Sequence, residues 1–330
     1  MTTLQLETDP DAKLPLAALR HFWGVLLAGG DGIRLRELTR RIAGDSRPKQ
    51  FCRLIGGESL FRQTRARLEP LFRRDRQVFV LSRSHEPYYS DDLADTNASC
   101  VITQPLNRGT GIAMILAIVD VLLRDPDAIV SFFPCDHYYS DNDSFRSTIR
   151  SAATCAQQHP ESIILVGAEA EYPEVEYGWI EPDVIVSQTA VGPLFRVDRF
   201  WEKPPQHQAR ALMRRACLWN TFVTVGRAAS FLDVLCSQVP EVILAITRAV
   251  ADGDLEPAYH RLPAVDFSRD VLAHQTQRLL VLRDRRSGWV DLGSPARVLE
   301  TLTRNGIQPE WVAEQDDLTL NLNEPPGRRV

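Results

Sequence analysis

The sequence has 330 residues, 44% of them hydrophobic, which is enough to bury a full core in one large domain or two ordinary ones. The formal net charge of -5 excludes a bulk attraction to nucleic acid or to an acidic membrane, so any anion site must be built locally from individual basic residues. Six cysteines lie scattered without a C-x-x-C pair or a zinc-like spacing, and we interpret them as reduced thiols.

The N-terminal segment "MTTLQLETDPDAKLPLAALR" carries acids and prolines and lacks the basic start and the apolar stretch of a secretory signal. No uninterrupted apolar run approaches the roughly 20 residues that a membrane-spanning helix needs. We therefore expect a soluble, cytoplasmic protein without a nucleic-acid or membrane partner. The expected division is a leader at 1–20, a main domain at 21–300 and a short C-terminal extension at 301–330.

The first half of the chain alternates short apolar or β-branched runs with segments of helical period, which predicts an α/β fold with a mostly parallel sheet covered by helices. The strand candidates are, in order, "FWGVLLA", "QVFVLSR", "SCVITQ", "AIVSFF" and "SIILVGA". The helix candidates between them are "SLFRQTRARLEPLF" and "GTGIAMILAIVDVLLRD".

From about Tyr177 onward the elements alternate less regularly, which predicts a mixed extension of the sheet. The strand candidates here are "YGWIEP", "LFRVDRFWEKP", "WNTFVTVG" and "RLLVLRD". The helix candidates are "QARALMRRA", "EVILAITRAV" and "FSRDVLA".

The first predicted strand ends at about Leu27 and continues into the glycine-rich loop "AGGDGIRL". Glycine adopts positive φ values and lets backbone N–H groups approach a ligand closely, so this loop is typical of a phosphate cradle. It matches neither G-x-x-x-x-G-K-[ST] nor a dinucleotide fingerprint, because Leu35 stands where the fingerprint needs glycine. Glycines alone indicate a structural turn about as readily. Arg34 and Lys49 favour the cradle, since they supply cations for phosphate oxygens.

Two acids follow apolar runs in a pattern that favours a metal. The buried strand "AIVSFF" is followed by "PCDH", and ligands of open α/β sheets bind outside the carboxyl ends of strands, where Asp136 stands. The alternative is that Asp136 caps a helix or a turn. Asp291 in "GWVDLGS" supplies a second carboxylate. Magnesium is bound by one or two carboxylates plus substrate phosphates, so the pair predicts a Mg²⁺ site.

Eight segments in register resemble the sugar-1-phosphate nucleotidylyltransferases, and most of all the mannose-1-phosphate guanylyltransferases. They are "LAGGDGIRL", "RPKQF", "QPLNRGT", "PCDH", "YGWIEP", "WEKP", "LWN" and "GWVDLGS", and they extend from about Trp23 to Ser294. The resemblance implies a doubly wound, Rossmann-like α/β catalytic domain at 21–300. It also implies transfer of a nucleotidyl group from a nucleoside triphosphate, GTP, to a sugar 1-phosphate, mannose 1-phosphate, with Mg²⁺ as cofactor and pyrophosphate as the second product.

The resemblance assigns roles to individual positions of this chain. Arg34 and Lys49 are the catalytic cations that neutralise the triphosphate. The remaining positions are nucleotide-binding Leu27, Gly29, Gly30, Gln104, Gly109 and Thr110, sugar-phosphate-binding Gly178, Glu202, Lys203 and Asn220, and the Mg²⁺ ligands Asp136 and Asp291.

The implied chemistry brings two anions together, so catalysis consists mainly of positioning and charge neutralisation. A phosphate monoester, whose second pKa is about 6, is already ionised near neutral pH, and a general base is therefore unnecessary. We interpret His137 as a neighbour that orients Asp136 and not as a catalyst.

The sequence also departs from the family pattern. The departures are Ile33 for threonine, Glu37 for proline, a longer segment between Thr39 and Pro48, Cys135 for serine, and Thr221 and Phe222 for Ser-Gly. They leave open another base or another hexose 1-phosphate as substrate. They also leave open a nucleotide-sugar sensor that binds without turnover, and the sequence leaves homo-oligomerisation open.

Overall fold

The computed structural model describes residues 20–284 and 286–313. The predicted leader, apart from Arg20, and residues 314–330 of the predicted extension lie outside the described residues. The strands are β1 (Phe22–Leu27), β2 (Gln77–Ser82), β3 (Val101–Gln104), β4 (Ile129–Pro134), β5 (His137–Tyr139), β6 (Ile163–Glu169), β7 (Gly178–Thr189), β8 (Gly192–Glu202), β9 (Leu218–Arg227), β10 (Leu279–Asp284) and β11 (Trp289–Asp291).

The helices alternate with these strands through most of the chain. They are α1 (Arg36–Ala43), α2 (Leu60–Leu68), α3 (Glu86–Tyr89), α4 (Thr110–Arg124), α5 (Asn142–Gln158), α6 (Gln206–Arg214), α7 (Ala228–Gln238), α8 (Pro240–Asp252), α9 (Leu255–Arg261), α10 (Pro295–Asn305) and α11 (Glu310–Ala313). The domain boundary predicted at 300 falls inside α10.

Nine strands form one mixed sheet in the order β3-β2-β1-β4-β9-β6-β10-β8-β7. β1 pairs in parallel with β2 and β4, β2 with β3, and β6 with β10. The pairings of β8 and β9 with their neighbours are antiparallel, so these two strands run in the opposite direction to the other strands of the sheet. This arrangement confirms the prediction of a mostly parallel sheet with a mixed extension.

The mixed end of the sheet curls back on itself. β7 pairs with β8 along its length and also with β9, where Trp179 lies opposite Trp219. Register irregularities between Glu181 and Ser187 interrupt the β7–β8 ladder, and such bulges increase local twist. The sequence predicted only the first part of β7, because its exposed second half lacks the alternation of a half-buried strand.

Side chains alternate between the two faces of the sheet, and helices cover both faces. Phe22 and Leu26 of β1 pack in a core with α2 and α5, whereas Trp23 and Val25 pack with α4, α7 and α8. The predicted doubly wound α/β class is therefore confirmed. A third core joins Leu35 and α1 to α10 and α11, and it sets the position of the glycine-rich loop relative to the C-terminal helices.

Two predicted helices differ from their predicted form. The segment "SLFRQTRARLEPLF" is helical only to Leu68, because the following Pro70 cannot continue a helix. "FSRDVLA" forms a π-helical turn at Phe267–Val271 followed by a 3-10 turn at Leu272–His274. Within the described residues, no helix combines the length and apolar character that crossing a membrane requires.

Candidate functional site

The carboxyl ends of neighbouring parallel strands form a crevice, and the predicted site lies along this edge. Leu27 closes β1, Gln104 closes β3 and Pro134 closes β4, two residues before Asp136. The carbonyl oxygen of Leu27 accepts a hydrogen bond from the backbone of Cys135 over 3.2 Å, so the exits of β1 and β4 are tied together. The carbonyl oxygen of Leu27 is engaged in this contact, and the role predicted for Leu27 in nucleotide binding stays a prediction.

The glycine-rich loop is anchored by the segment that carries Lys49. The side-chain amide of Gln50 donates to the carbonyl oxygens of Ala28, over 2.9 Å, and Gly30, over 2.7 Å. Gly32 has φ 58°, and a Cβ atom there would lie 2.9 Å from the backbone nitrogen of Lys49. Apart from its chain neighbours, no atom of the described residues lies within 4 Å of the corresponding position at Gly30, so that face of the loop is open to a ligand. Sequence analysis missed the role of Gln50, although the residue stands in the quoted segment "RPKQF".

Lys49 bridges the two carboxylates that were predicted to bind magnesium. Its Nζ atom lies 3.1 Å from Oδ2 of Asp136 and 3.1 Å from Oδ1 of Asp291, and it donates to the carbonyl oxygen of Leu292 over 3.3 Å. Burial alone lowers the pKa of Lys49, but the two carboxylates outweigh it and raise the pKa overall. Lys49 is therefore a charged ammonium at neutral pH.

Asp291 is held ionised despite its burial. Burial raises the pKa of Asp291, but Lys49, His137 and Arg297 together lower that pKa to about 2. A short antiparallel sheet brings the residue into place: β11 pairs with β5, and Asp291 lies opposite His137. The same strand pairing places Asp136, which precedes His137, beside the ammonium of Lys49.

His137 lies beside both acids. Its Nε2 atom is 3.7 Å from Oδ1 of Asp136 and 4.0 Å from Oδ1 of Asp291, and the indole of Trp289 donates to its Nδ1 atom over 3.1 Å. Burial lowers the pKa of His137, against the raising effect of the two acids. With Nδ1 accepting from the indole, the proton of a neutral ring is on Nε2 and faces the acids.

The donor set suits a magnesium ion that also binds substrate phosphates. In the described part of the chain, no group of three or more His, Cys, Asp or Glu side chains is arranged to hold a metal by itself. Oxygens of Asp136 and Asp291 instead converge on the ammonium of Lys49. Hard oxygen ligands in this small number fit Mg²⁺, which keeps waters and phosphate oxygens in its remaining positions.

Arg34 lies at the mouth of the crevice and not on the carboxylate pair. Its guanidinium is exposed and forms an ion pair with Glu176 over 3.1 Å. A Cβ atom at Gly293, two residues after Asp291, would lie 3.3 Å from Nη2 of Arg34. Sequence analysis missed Glu176, because nothing in the sequence pairs it with a residue 142 positions earlier.

A second, partly buried cation contacts the other carboxylate oxygen of Asp291. Nη1 of Arg297 lies 3.6 Å from Oδ2 of Asp291 and donates to the hydroxyl of Tyr177 over 2.8 Å. Nη2 of Arg297 bonds Glu174 over 2.5 Å, and the Tyr177 hydroxyl donates to the carbonyl oxygen of Asp291 over 3.4 Å. The sequence pattern does not predict this network; it shows only that a basic residue stands near the start of the helix after "GWVDLGS".

The segment predicted to bind the base is packed against residues near 265. Gly109 has φ 86°, and a Cβ atom there would overlap the carbonyl oxygen of Val265. The Thr110 hydroxyl accepts from the backbone of Phe267 over 3.0 Å, so its contact is internal to the protein. Gln104 is buried, and its Nε2 atom lies 2.8 Å from the position a Cβ atom would take at Gly29.

The residues predicted to bind the sugar phosphate come together on the mixed side of the sheet. Gly178 pairs with Glu202 across β7 and β8, and a Cβ atom at Gly178 would lie 3.0 Å from Oε2 of Glu202 and 3.2 Å from Cβ of Asn220. Lys203 lies 3.4 Å from Glu202 and adopts φ 47°. Burial raises the pKa of Glu202, against the lowering effect of Lys203.

Tyr177 connects Asp291 with the residues that are predicted to bind the sugar phosphate. Its carbonyl oxygen accepts from the backbone of Lys203 over 3.2 Å, while its hydroxyl reaches the backbone of Asp291. The side chain of Asn220 donates to Ser268 over 3.5 Å, next to Phe267, which contacts Thr110. The residues predicted to bind phosphate, base and sugar are therefore linked to one another by direct contacts.

Comparison with known proteins gives the same family that the motifs indicate. The nucleotidyl transferase family matches residues 23–304. The chain is 27% identical over 314 residues to the mannose-1-phosphate guanylyltransferase of Escherichia coli, covering 91% of this chain and 65% of that protein. It is 28% identical over 285 residues to the alginate biosynthesis protein AlgA of Pseudomonas syringae, covering 82% of this chain and 56% of that protein. The chain thus spans less than two thirds of the length of these curated relatives.

Solved structures share the fold. The mannose-1-phosphate geranyltransferase of Thermus thermophilus superposes with a TM-score of 0.74 at 24% identity, covering 87% of this chain and 80% of that chain. The mannose-6-phosphate isomerase of Helicobacter pylori superposes with a TM-score of 0.64 at 21% identity, covering 82% of this chain and 100% of that chain. With a family match over most of its length and a crevice built from that family's motifs, the chain belongs to the nucleotidyl transferase family.

Proposed function

We propose that the protein transfers a nucleotidyl group from a nucleoside triphosphate to a sugar 1-phosphate, most specifically from GTP to mannose 1-phosphate, in the cytoplasm. A phosphate oxygen of the sugar 1-phosphate attacks the α-phosphorus of the triphosphate. The bond from that phosphorus to the oxygen of the β-phosphate breaks, and pyrophosphate leaves. The observation that carries the proposal is the buried Lys49 between Asp136 and Asp291, at the foot of an anchored glycine-rich loop.

The basic and acidic residues of the crevice have different roles in this reaction. Lys49 supplies a fixed positive charge where negative charge accumulates, and its burial strengthens that effect because the local dielectric is low. Arg34 lies at the mouth with an exposed guanidinium that can exchange Glu176 for phosphate oxygens. Asp136 and Asp291 would hold the Mg²⁺ ion, which when bound neutralises phosphate charge.

The sugar end of the crevice offers hydrogen-bonding groups at fixed positions. Gly178 and Glu202 lie against each other, and Lys203 places an ammonium next to this pair. A carboxylate can accept from sugar hydroxyls, and an ammonium can bind a phosphate group. The curated relatives named as mannose-1-phosphate guanylyltransferases support mannose as the sugar.

One observation favours the alternative of a sensor that binds without turnover. Ile33, at the position of the family's threonine, is 68% exposed and offers no hydroxyl to a phosphate. Glu37 stands where the family pattern has proline. It forms ion pairs with Arg40 and Arg41 within α1, and these ion pairs do not connect it to the crevice. A chain that retained nucleotide binding but had lost turnover would show these features.

The test is pyrophosphate release by the purified protein with Mg²⁺, over a grid of nucleoside triphosphates and hexose 1-phosphates. We expect release that depends on both substrates and is fastest with GTP and mannose 1-phosphate. A preference for another pair would keep the reaction and change the substrates. Binding of nucleotide, seen as a rise in melting temperature, with no release for any pair would favour the sensor and contradict the proposal.

A further inference from the structure

A buried hydroxyl fixes the side-chain amide of Gln104. Tyr259 lies in α9 with a fully buried side chain, and its hydroxyl donates to Oε1 of Gln104 over 3.2 Å. A buried hydroxyl needs an acceptor for its hydrogen. With the amide turned the other way, the Tyr259 hydrogen would face the N–H groups of Gln104. Oε1 is therefore held toward Tyr259, and Nε2 is held away from it.

The hydroxyl stays a donor over the whole working range of pH. Burial raises the pKa of Tyr259, so the phenol keeps its proton. Both heavy atoms of the contact are buried, and Gln104 itself is only 3% exposed. The orientation of the amide is thus a permanent feature of the crevice wall.

The amide nitrogen faces the end of the crevice where a base would lie. Nε2 of Gln104 lies beside Gly29, the first glycine of the loop. β3, which Gln104 closes, is three strands away from β4, which leads to Asp136. At about 4.8 Å per strand this separation is roughly 14 Å, so a nucleotide with its phosphates at Lys49 extends its base toward Gln104.

We propose that Tyr259 is a specificity-determining residue, which holds the N–H donors of Gln104 toward the glycine-rich loop and so selects nucleobases with a keto oxygen over nucleobases with an amino group. Guanine and uracil carry an acceptor oxygen where adenine and cytosine carry an amino donor. A donor in the wall pairs with the oxygen and opposes the amino group. The inference rests on the proposed function for the placement of the nucleotide, and it adds the residue that sets the choice of base.

The experiment measures dissociation constants by calorimetry and kcat/KM by pyrophosphate release for GTP, ITP and ATP. ITP is the decisive probe, because it shares the 6-keto oxygen of GTP and lacks the 2-amino group. The variant is Tyr259→Phe, which frees the amide to turn. The control is Tyr139→Phe, which removes a buried hydroxyl that has no hydrogen-bond partner within the described residues.

We expect wild-type protein and Tyr139→Phe to prefer both GTP and ITP over ATP. In Tyr259→Phe both preferences should fall about tenfold, the effect of one misdirected hydrogen bond. Unchanged preferences in Tyr259→Phe, or a wild-type protein that does not separate ITP from ATP, would overturn the inference. Turnover without base selection would overturn the inference and leave the proposed function standing. Binding that selects keto bases without turnover would support the inference and contradict the proposed function.

A second variant covers the case in which Tyr259→Phe does not fold. Gln104→Glu presents acceptors only, so the inference predicts weaker binding of GTP and ITP relative to ATP. Circular dichroism and the melting temperature check its fold. Retention of the wild-type preference by a folded Gln104→Glu protein would overturn the inference.

Discussion

Lys49 and Arg297 hold Asp291 from opposite sides, and between them they define the electrostatics of the crevice. Lys49 is buried and Arg297 is largely buried, with side-chain exposures of 8% and 13%. A buried charge is tolerated when it is paired and hydrogen-bonded, and each of these is. The arrangement keeps Asp291 ionised and fixed in position.

Replacement of Lys49 with methionine removes the charge and keeps much of the side-chain volume. We expect kcat with GTP and mannose 1-phosphate to fall by at least about 100-fold, since a fixed charge in a buried site stabilises the transition state strongly. The melting temperature should also fall, because two carboxylates lose their shared partner. Steady-state kinetics and a thermal melt measure the two effects. A folded variant with near-normal kcat would show that Lys49 does not act on the triphosphate.

Replacement of Arg297 with alanine tests whether this residue positions Asp291. The guanidinium borders a cavity of about 100 Å³ that Tyr177, Trp219 and Trp289 also line. We expect kcat to fall about tenfold, the effect of one hydrogen-bonded ion pair, and added guanidinium ion to restore part of it. The matched control is Arg304→Ala, which removes another arginine of α10 from the same cavity wall. Loss of stability without any rescue of kcat would assign Arg297 a structural role only.

The site depends on contacts between helices and strands that are far apart in the chain. β5 and β11 have three residues each, and they bring Asp136 and Asp291 to one ammonium. The packing of α10 against α1 holds the C-terminal helices beside the glycine-rich loop. The tight approach of Gly109 to Val265 fixes the N-terminus of α4.

Gly109 is a position in this framework where the backbone leaves no room for a side chain. Its φ of 86° is a conformation that non-glycine residues rarely adopt, and an added Cβ would meet a backbone oxygen. We expect Gly109→Ala to lower the free energy of unfolding by about 3 kcal/mol, from backbone strain and steric overlap together. Gly253→Ala is the matched control, because it has φ 70° and open space around it, and it should cost about 1 kcal/mol. Equal losses in urea titrations of the two variants would contradict the role of the contact with Val265.

Parts of this architecture are predictable from the sequence and parts are not. The apolar runs give β1, β2, β4 and β6 directly, because buried parallel strands are continuous apolar segments. The partly exposed β3 is indicated by its β-branched residues instead. Asp136 and the loop glycines follow from the rule that ligands bind at the carboxyl ends of such strands. Lys49 could be named, but its place between two acids could not. That contact depends on packing between residues 242 positions apart, which no local pattern encodes.

One buried acid links the first strand to the rest of the fold. Asp125 accepts from His21 over 2.7 Å, from the indole of Trp23 over 2.8 Å and from Arg76 over 3.3 Å. Burial raises the pKa of Asp125, but these partners outweigh it and lower the pKa overall. The folded protein therefore binds this proton less tightly than the unfolded chain does.

The sign of this pKa shift predicts how stability depends on pH. The stabilisation by Asp125 is fully present above the unfolded pKa of about 3.9 and is lost as the pH falls through the lower folded value. We expect Asp125→Asn to unfold about 2 kcal/mol more easily than wild type near pH 7. Urea titrations across pH should show this difference narrowing below about pH 4. A difference that stays constant down to pH 3 would contradict the ionised state of Asp125 in the fold.

Whether the crevice joins a nucleotide to a sugar phosphate can be observed by ³¹P nuclear magnetic resonance of the protein with GTP, mannose 1-phosphate and Mg²⁺, following all phosphorus signals together. We predict that signals of a nucleoside diphosphate sugar and of pyrophosphate grow in equal amounts as both substrates decline, and that neither grows without mannose 1-phosphate. Conversion of GTP to GDP and inorganic phosphate, or no change in any signal, would contradict nucleotidyl transfer to a sugar 1-phosphate.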